Sequence, residues 1–149
     1  MKTNPSLILL VILLILLSAG ALFGGGALMI SPDGNLLQMP ISFLESSPFK
    51  NFFIPGLILF SIFGLFPIIV IIGLIKKPSC RICDMLNLLK DMHWSWSFCI
   101  YISFALIIWI QVQMMILNTV FWLHTFYVAY ALTILIILIL SPIRRSFNE

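Results

Sequence analysis

Residues 31–56, SPDGNLLQMPISFLESSPFKNFFIPG, separate two long apolar runs and decide how this chain folds. The SPDG sequence at residues 31–34 predicts a type I turn, because proline presets φ at the second position and glycine suits the fourth. Large apolar residues follow, interrupted by polar ones. Pro40 is typical of a first helical turn, where its missing N–H needs no partner. We therefore predict a loop that lies in a membrane interface and contains a short helix beginning near Pro40.

The composition indicates an integral membrane protein. The 149 residues are 62% hydrophobic and only 9% charged, with a mean hydropathy of +1.18, whereas soluble domains carry about 25% charged residues. We predict one integral membrane domain over residues 1–149. The net charge of +3 does not indicate a nucleic-acid partner, because the basic residues lie at the edges of the apolar runs. The lipid bilayer is the expected partner, with another membrane protein or self-association as a possibility to test.

Four apolar runs predict an all-α fold, a four-transmembrane-helix bundle with an interfacial outer loop containing a short helix. The predicted spans are residues 5–30, 53–75, 97–117 and 120–140, and none contains Asp, Glu, Lys or Arg. The first run, followed by small residues at 18–21, also fits a secretory signal peptide. Its apolar residues continue to Ile30, which favours a retained helix.

The basic residues predict the orientation of the chain in a cell membrane. Seven of the eight Lys and Arg residues lie near the two termini or in the loop between the second and third spans. The positive-inside rule therefore places both termini and this loop in the cytoplasm, and residues 31–52 outside. In the same loop, Met85 to Leu89 predict a short amphipathic helix that ends near His93. The rings of Trp94 and Trp96 are predicted to lie at the level of the lipid headgroups.

Small residues and a proline predict helix contacts. Gly20 and Gly24 form a GxxxG pair that lets another helix approach closely. The alternative is that the glycines at 24–26 loosen the end of the helix. In the second span, Gly64 and Pro67 predict a kink that a neighbouring helix must cover, because lipid cannot satisfy the freed backbone groups.

Polar residues cluster in the outer halves of the third and fourth spans. The candidate ligand- or partner-binding residues are Gln111, Gln113, Asn118, His124 and Tyr127. They predict either interhelical hydrogen bonds or a small polar pocket that the outer loop covers, suited to a lipid headgroup or a quinone-like ligand.

Cys80 and Cys83 form a CxxC pair, a spacing used by redox dithiols and by half of a zinc site. Four spans with such a pair are similar to the quinone-linked disulfide-forming membrane enzymes. Those enzymes work on the outer side and use further cysteines, whereas this pair is predicted to be cytoplasmic. As a zinc site the pair lacks ligands, since only His93 lies nearby. The alternative is that these cysteines have no role in chemistry.

Recognisable catalytic motifs are missing from the sequence. It contains no HExxH, GxSxG or P-loop, so we predict no catalytic residue and no cofactor. The leading hypothesis is a non-enzymatic membrane protein that binds a lipid or a partner through its outer half. The alternatives are a small oligomeric transporter or channel subunit, and a thiol redox membrane enzyme. The lack of an acidic residue in the spans sets the chain apart from small multidrug exporters, which use a membrane-embedded glutamate.

The outer segment at residues 32–57 and the WIQVQ sequence at residues 109–113 resemble small bacterial four-span membrane proteins of unassigned function. This resemblance implies a bacterial cell membrane and no particular chemistry. The Cys80 and Cys83 loop is not part of the pattern.

Overall fold

Helices dominate the computed structural model, which describes residues 4–140. Four helices are long and apolar enough to cross a membrane: α1 (Pro5–Ile30), α2 (Phe53–Lys76), α4 (Trp94–Leu117) and α5 (Trp122–Ile139). A short helix, α3 (Arg81–Leu86), precedes α4, and one-turn 3₁₀ helices at Asn35–Leu37 and Ile41–Leu44 precede α2. Because no strand occurs within residues 4–140, the predicted all-α fold with four spans is confirmed. Lys2, Arg144 and Arg145, used above for orientation, lie outside the described residues.

Helix α4 begins at Trp94, three residues before the predicted start, because His93 caps it. The His93 Nδ1 atom accepts the Ser95 N–H at 3.4 Å, and the Trp94 indole N–H donates to the Pro78 carbonyl oxygen at 2.9 Å. Trp94 and Trp96 are only 3% and 6% exposed. Both rings pack inside the protein at the start of α4, and their depth relative to the lipid headgroups stays a prediction.

Helix α3 is also placed differently from the predicted amphipathic helix. It ends at Leu86 rather than near His93, because Asn87 is buried and its side chain organises a turn. The Asn87 Nδ2 atom donates to the Met92 carbonyl oxygen at 2.7 Å, and its Oδ1 atom accepts the Leu89 N–H at 3.1 Å. These bonds replace the helical ones that the prediction required.

Helices α1 and α2 touch through their backbones at glycines. A Cβ atom on Gly25 would lie 2.6 Å from the Phe60 nitrogen and 2.7 Å from the Gly56 oxygen, and one on Gly64 would lie 2.6 Å from a Leu22 methyl carbon. A Cβ atom on Gly24 would meet only the Leu59 side chain, at a distance of 3.5 Å. The closest approach on α1 is thus at Gly25, one residue beyond the predicted GxxxG pair.

A π-helical segment, Leu59–Leu65, lies in α2 and ends two residues before Pro67. Such a wide turn accommodates a residue that lacks an N–H and whose ring would clash with the preceding turn. The Ser18 hydroxyl of α1 donates to the Gly64 carbonyl oxygen at 2.5 Å, in a buried contact. A neighbouring helix therefore supplies a hydrogen bond at the distorted turn, as a lipid environment requires.

The four long helices form two hairpins, α1 with α2 and α4 with α5, which meet mainly at one end. There, a Cβ atom on Gly73 would lie 2.4 Å from the Trp94 ring. We call this end, which carries Cys80 and Cys83, the cysteine end, and the opposite end the loop end. At the loop end no Cα atom of Phe53–Ile58 lies within 8 Å of one in α4. The hairpins therefore diverge towards the loop end.

Residues 31–52 cover the loop end. The Gly34 N–H donates to the Ser31 carbonyl oxygen at 3.0 Å, which confirms the predicted turn. The Ser31 hydroxyl and the Asn35 N–H donate to the Asp33 carboxylate and lower its pKa. The 3₁₀ helix Ile41–Leu44 follows Pro40 directly, so the predicted short helix is present as a single turn.

We expect Gly25→Ala to destabilise the fold by about 1–3 kcal/mol, because the new methyl group meets backbone atoms that cannot move aside. Gly26→Ala is the matched control, since its Cβ atom would meet only the Phe60 ring, at 3.8 Å. Unfolding in mixed detergent micelles measures both. Equal stability of the two variants would contradict the close contact between α1 and α2.

Candidate functional site

A cavity of about 400 Å³ lies between the two hairpins at the loop end. It exists because the hairpins diverge there, and its walls come from α1, α2, α4 and α5. Leu17, Phe63 and Leu106 line its deep end. Most of its lining is apolar, which suits a ligand with a largely apolar body.

Residues of the loop and of α5 close the top of the cavity. Met39 and Phe43 reach over it from residues 31–52. The Phe43 ring meets the Phe121 ring with centroids 6.2 Å apart, which joins the loop to the start of α5. Below the cavity, the Tyr130 hydroxyl of α5 donates to the Leu13 carbonyl oxygen of α1. The two hairpins are therefore tied on both sides of the cavity.

His124 presents one nitrogen atom without a protein partner. Its Nδ1 atom bonds to the Phe121 backbone N–H at 3.0 Å. Since a backbone N–H can only donate, Nδ1 accepts, and the neutral ring carries its proton on Nε2. Within residues 4–140 no acceptor is bonded to Nε2. His124 lines the cavity and supplies a hydrogen-bond donor that the fold leaves unused.

Three further polar side chains of the lining make no hydrogen bond to a described residue: Trp109, Gln113 and Tyr127. The Trp109 indole N–H is buried and has no partner, although buried polar groups are normally bonded. Indole N–H and phenol O–H groups donate hydrogen bonds, and an amide both donates and accepts. Because the Trp109 N–H is enclosed by protein, the polar groups that the apolar cavity offers to a ligand are those of Gln113, His124 and Tyr127.

The structure gathers some of the predicted binding residues and separates others. Gln113, His124 and Tyr127 line the same cavity, whereas Gln111 and Asn118 are exposed outside it. Gln111 and Asn118 share a face of α4, but that face is exposed at the surface of the bundle. Asn118 instead ends α4 with a φ of +50°, a conformation that asparagine tolerates better than most residues.

Other lining residues were missed by the sequence analysis. Gly20 and Gly24, proposed as packing residues, border the cavity. On α4 the lining residues recur at helical spacing, as Leu106, Ile110, Gln113 and Leu117. That stripe was visible in the sequence, but Trp109 and Phe63 could be assigned only once the two helices faced each other, with ring centroids 6.5 Å apart.

Cys80 and Cys83 form a disulfide at the cysteine end. Leu106, the deepest cavity residue on α4, is twelve residues beyond Trp94, which corresponds to about 18 Å along a helix. Cys99 is buried and is not part of the disulfide. Within residues 4–140 no three or more His, Cys, Asp or Glu side chains come together in a group that could hold a metal ion. The disulfide and the cavity are thus separate features of the molecule.

Fold and site define a multi-pass, four-helix membrane protein with a cavity between its two hairpins. No protein-family model, no curated protein and no solved structure matches this sequence.

We expect Tyr127→Phe to change the free energy of unfolding by less than about 0.5 kcal/mol, because its hydroxyl has no protein partner to lose. Tyr130→Phe is the matched control on the same helix. It removes a hydrogen bond to Leu13 and should cost about 1 kcal/mol. Detergent unfolding of the two variants measures the difference. A larger loss for Tyr127→Phe would show that its hydroxyl belongs to the packing of the fold.

Proposed function

We propose that this protein is a non-enzymatic membrane protein that binds a small, uncharged, lipid-like molecule in the cavity at its loop end. The observation that carries this proposal is the pair of unpartnered donors, the His124 Nε2–H and the Tyr127 hydroxyl, on the wall of an otherwise apolar cavity. A hydrogen-bond donor without a protein partner stabilises a ligand acceptor placed beside it.

The lining also indicates the charge of the ligand. None of the described residues around the cavity carries a formal charge when His124 is neutral. Placing an ion there without a counter-charge would cost several kcal/mol. A neutral molecule with carbonyl oxygens and an apolar body fits better. A quinone ring and the ester group of a neutral lipid share this chemistry.

We further infer that the protein resides in the plasma membrane with both termini in the cytoplasm. The distribution of Lys and Arg described above supports this orientation. It places the cavity in the outer half of the bilayer, below residues 31–52.

The structure supports the alternative functions less well. A redox enzyme that passes electrons between a quinone and the Cys80–Cys83 disulfide would need the two close together, but the cavity and the disulfide are at opposite ends. A transporter or channel would need a path through the cysteine end. There Val70, Leu74 and Ile102 are at most 1% exposed and fill the space between the hairpins.

Two probes test the cavity and separate the two sources of a neutral carbonyl ligand: decylubiquinone and 1,2-dioctanoylglycerol. We expect native mass spectrometry of the whole chain to show one bound copy of at least one probe. Tyr127→Phe should weaken binding about 3–10-fold, the loss expected for one hydrogen bond. Gly20→Leu should abolish it, because Gly20 borders the cavity and the new side chain would occupy it.

Two controls accompany this experiment. Ala19→Leu places the same leucine side chain on α1 at an exposed residue that does not line the cavity, so binding should persist. A Cys80→Ser/Cys83→Ser variant should also bind like the wild type, because the disulfide is distant. The proposal fails if neither probe binds, or if Gly20→Leu and Ala19→Leu bind equally well.

Reporter fusions at the C-terminus test the orientation in a bacterial host. We expect a fused green fluorescent protein to be fluorescent and a fused alkaline phosphatase to be inactive, because phosphatase requires export to become active. The phosphatase fused after residue 50, within the loop predicted to be outside, serves as the positive control. An active C-terminal phosphatase would refute the proposed orientation.

A further inference from the structure

A second surface, at the cysteine end, exposes large apolar side chains. Ile82, Met85, Leu86 and Leu88 are between 61% and 80% exposed. They lie on α3 or just after it, outside the four spans. Contiguous exposed apolar side chains of this kind mark interaction sites.

Contacts on the opposite side hold these residues in place. The Tyr101 hydroxyl of α4 accepts the Leu88 N–H at 3.0 Å and donates to the Leu86 carbonyl oxygen at 2.8 Å. Cys80 and Cys83 pack against the core of the bundle. Because the backbone is tied to α4 from one side, the apolar side chains form a fixed array that points away from the protein.

Positive charge surrounds this array. Residues 76–93 contain four basic residues, Lys76, Lys77, Arg81 and Lys90, and only two acidic ones. The Lys90 ammonium donates to the Asp84 carbonyl oxygen at 2.6 Å rather than to a carboxylate, so its charge is not neutralised there. Within residues 4–140 no carboxylate is paired with Lys76 or Arg81. The side chains of Lys76, Arg81 and Lys90 are all exposed.

The position of the segment relative to the spans identifies the partner. Helix α2 ends at Lys76 and α4 begins at Trp94, so both ends of residues 77–93 are anchored at the same edge of the membrane. An exposed apolar array with adjacent cations at that level suits the boundary between headgroups and acyl chains. Basic side chains at this depth attract anionic lipids.

We propose that the surface formed by α3 and Leu88 lies in the headgroup layer and binds anionic phospholipid. Ile82, Met85 and Leu88 contact acyl chains, and Lys76, Arg81 and Lys90 contact the lipid phosphates. This surface is separate from the cavity, so the proposal does not depend on the function proposed above. In the loop end, residues 31–52 contain one basic residue, Lys50, and two acidic ones, Asp33 and Glu45. This end therefore lacks the net positive charge of the cysteine end.

The first experiment releases the full chain from nanodiscs made of equal parts phosphatidylglycerol and phosphatidylcholine, and counts the retained lipids by native mass spectrometry. We expect at least a five-fold preference for phosphatidylglycerol. A Lys76→Gln/Arg81→Gln/Lys90→Gln variant should lose that preference, whereas the control Lys50→Gln should keep it. Equal retention of both lipids by the wild type, or an unchanged preference in the triple variant, would overturn the proposal.

A second measurement remains decisive if the triple variant does not fold. Nitroxide labels are attached at Leu88→Cys and, as a control, at the nearby exposed Asp91→Cys in the otherwise unchanged chain. In the same nanodiscs, the label at residue 88 should collide more with oxygen and less with a water-soluble nickel complex than the label at residue 91. Equal access of the nickel complex to both labels would place the surface in water and overturn the proposal.

Discussion

Backbone contact between α1 and α2 determines the shape of this protein. At Gly25 and Gly56 neither helix has a side chain to keep the other away, so the two backbones meet directly. In a bilayer, where lipid is as apolar as leucine, such close packing is a main source of helix association. Gly73 allows a close contact between the two hairpins, because its lack of a side chain leaves room for the Trp94 ring at the cysteine end. The α1–α2 and α4–α5 hairpins are in close contact at the cysteine end. No comparable contact joins Phe53–Ile58 to α4, and the hairpins separate towards the loop end.

The cavity follows from that separation. Large rings, including Phe63 and Trp109, face each other where the helices diverge, and residues 31–52 close the gap. The distorted turn of α2, Leu59–Leu65, contributes to the same wall. π-helical turns often occur at functional sites because they place side chains where a regular helix would not. Here Pro67 gives a structural reason for the distortion, and the distorted turn places Leu59 and Phe63 on the cavity wall.

The two ends of the molecule differ in chemistry. The loop end has a hollow interior without formal charge, which suits a neutral molecule drawn from the bilayer. The cysteine end is tightly packed inside and positively charged outside. Its connecting segment is fixed by Asn87 and Tyr101, whose side chains bond to backbone groups of the loop. These differences underlie the two proposals, a ligand enclosed at the loop end and a lipid-binding surface at the cysteine end.

The sequence alone determined the number of spans and their approximate bounds, because hydropathy depends on local composition and not on tertiary contacts. It also indicated the turn at residues 31–34, whose residue types carry their own backbone preferences. It could not decide which faces of the helices meet. Gln111 and Gln113 are equivalent as polar residues in one span, yet only Gln113 lines the cavity. That choice depends on where α1 touches α2 and where Gly73 receives Trp94, and such steric fit exists only once the helices are packed together.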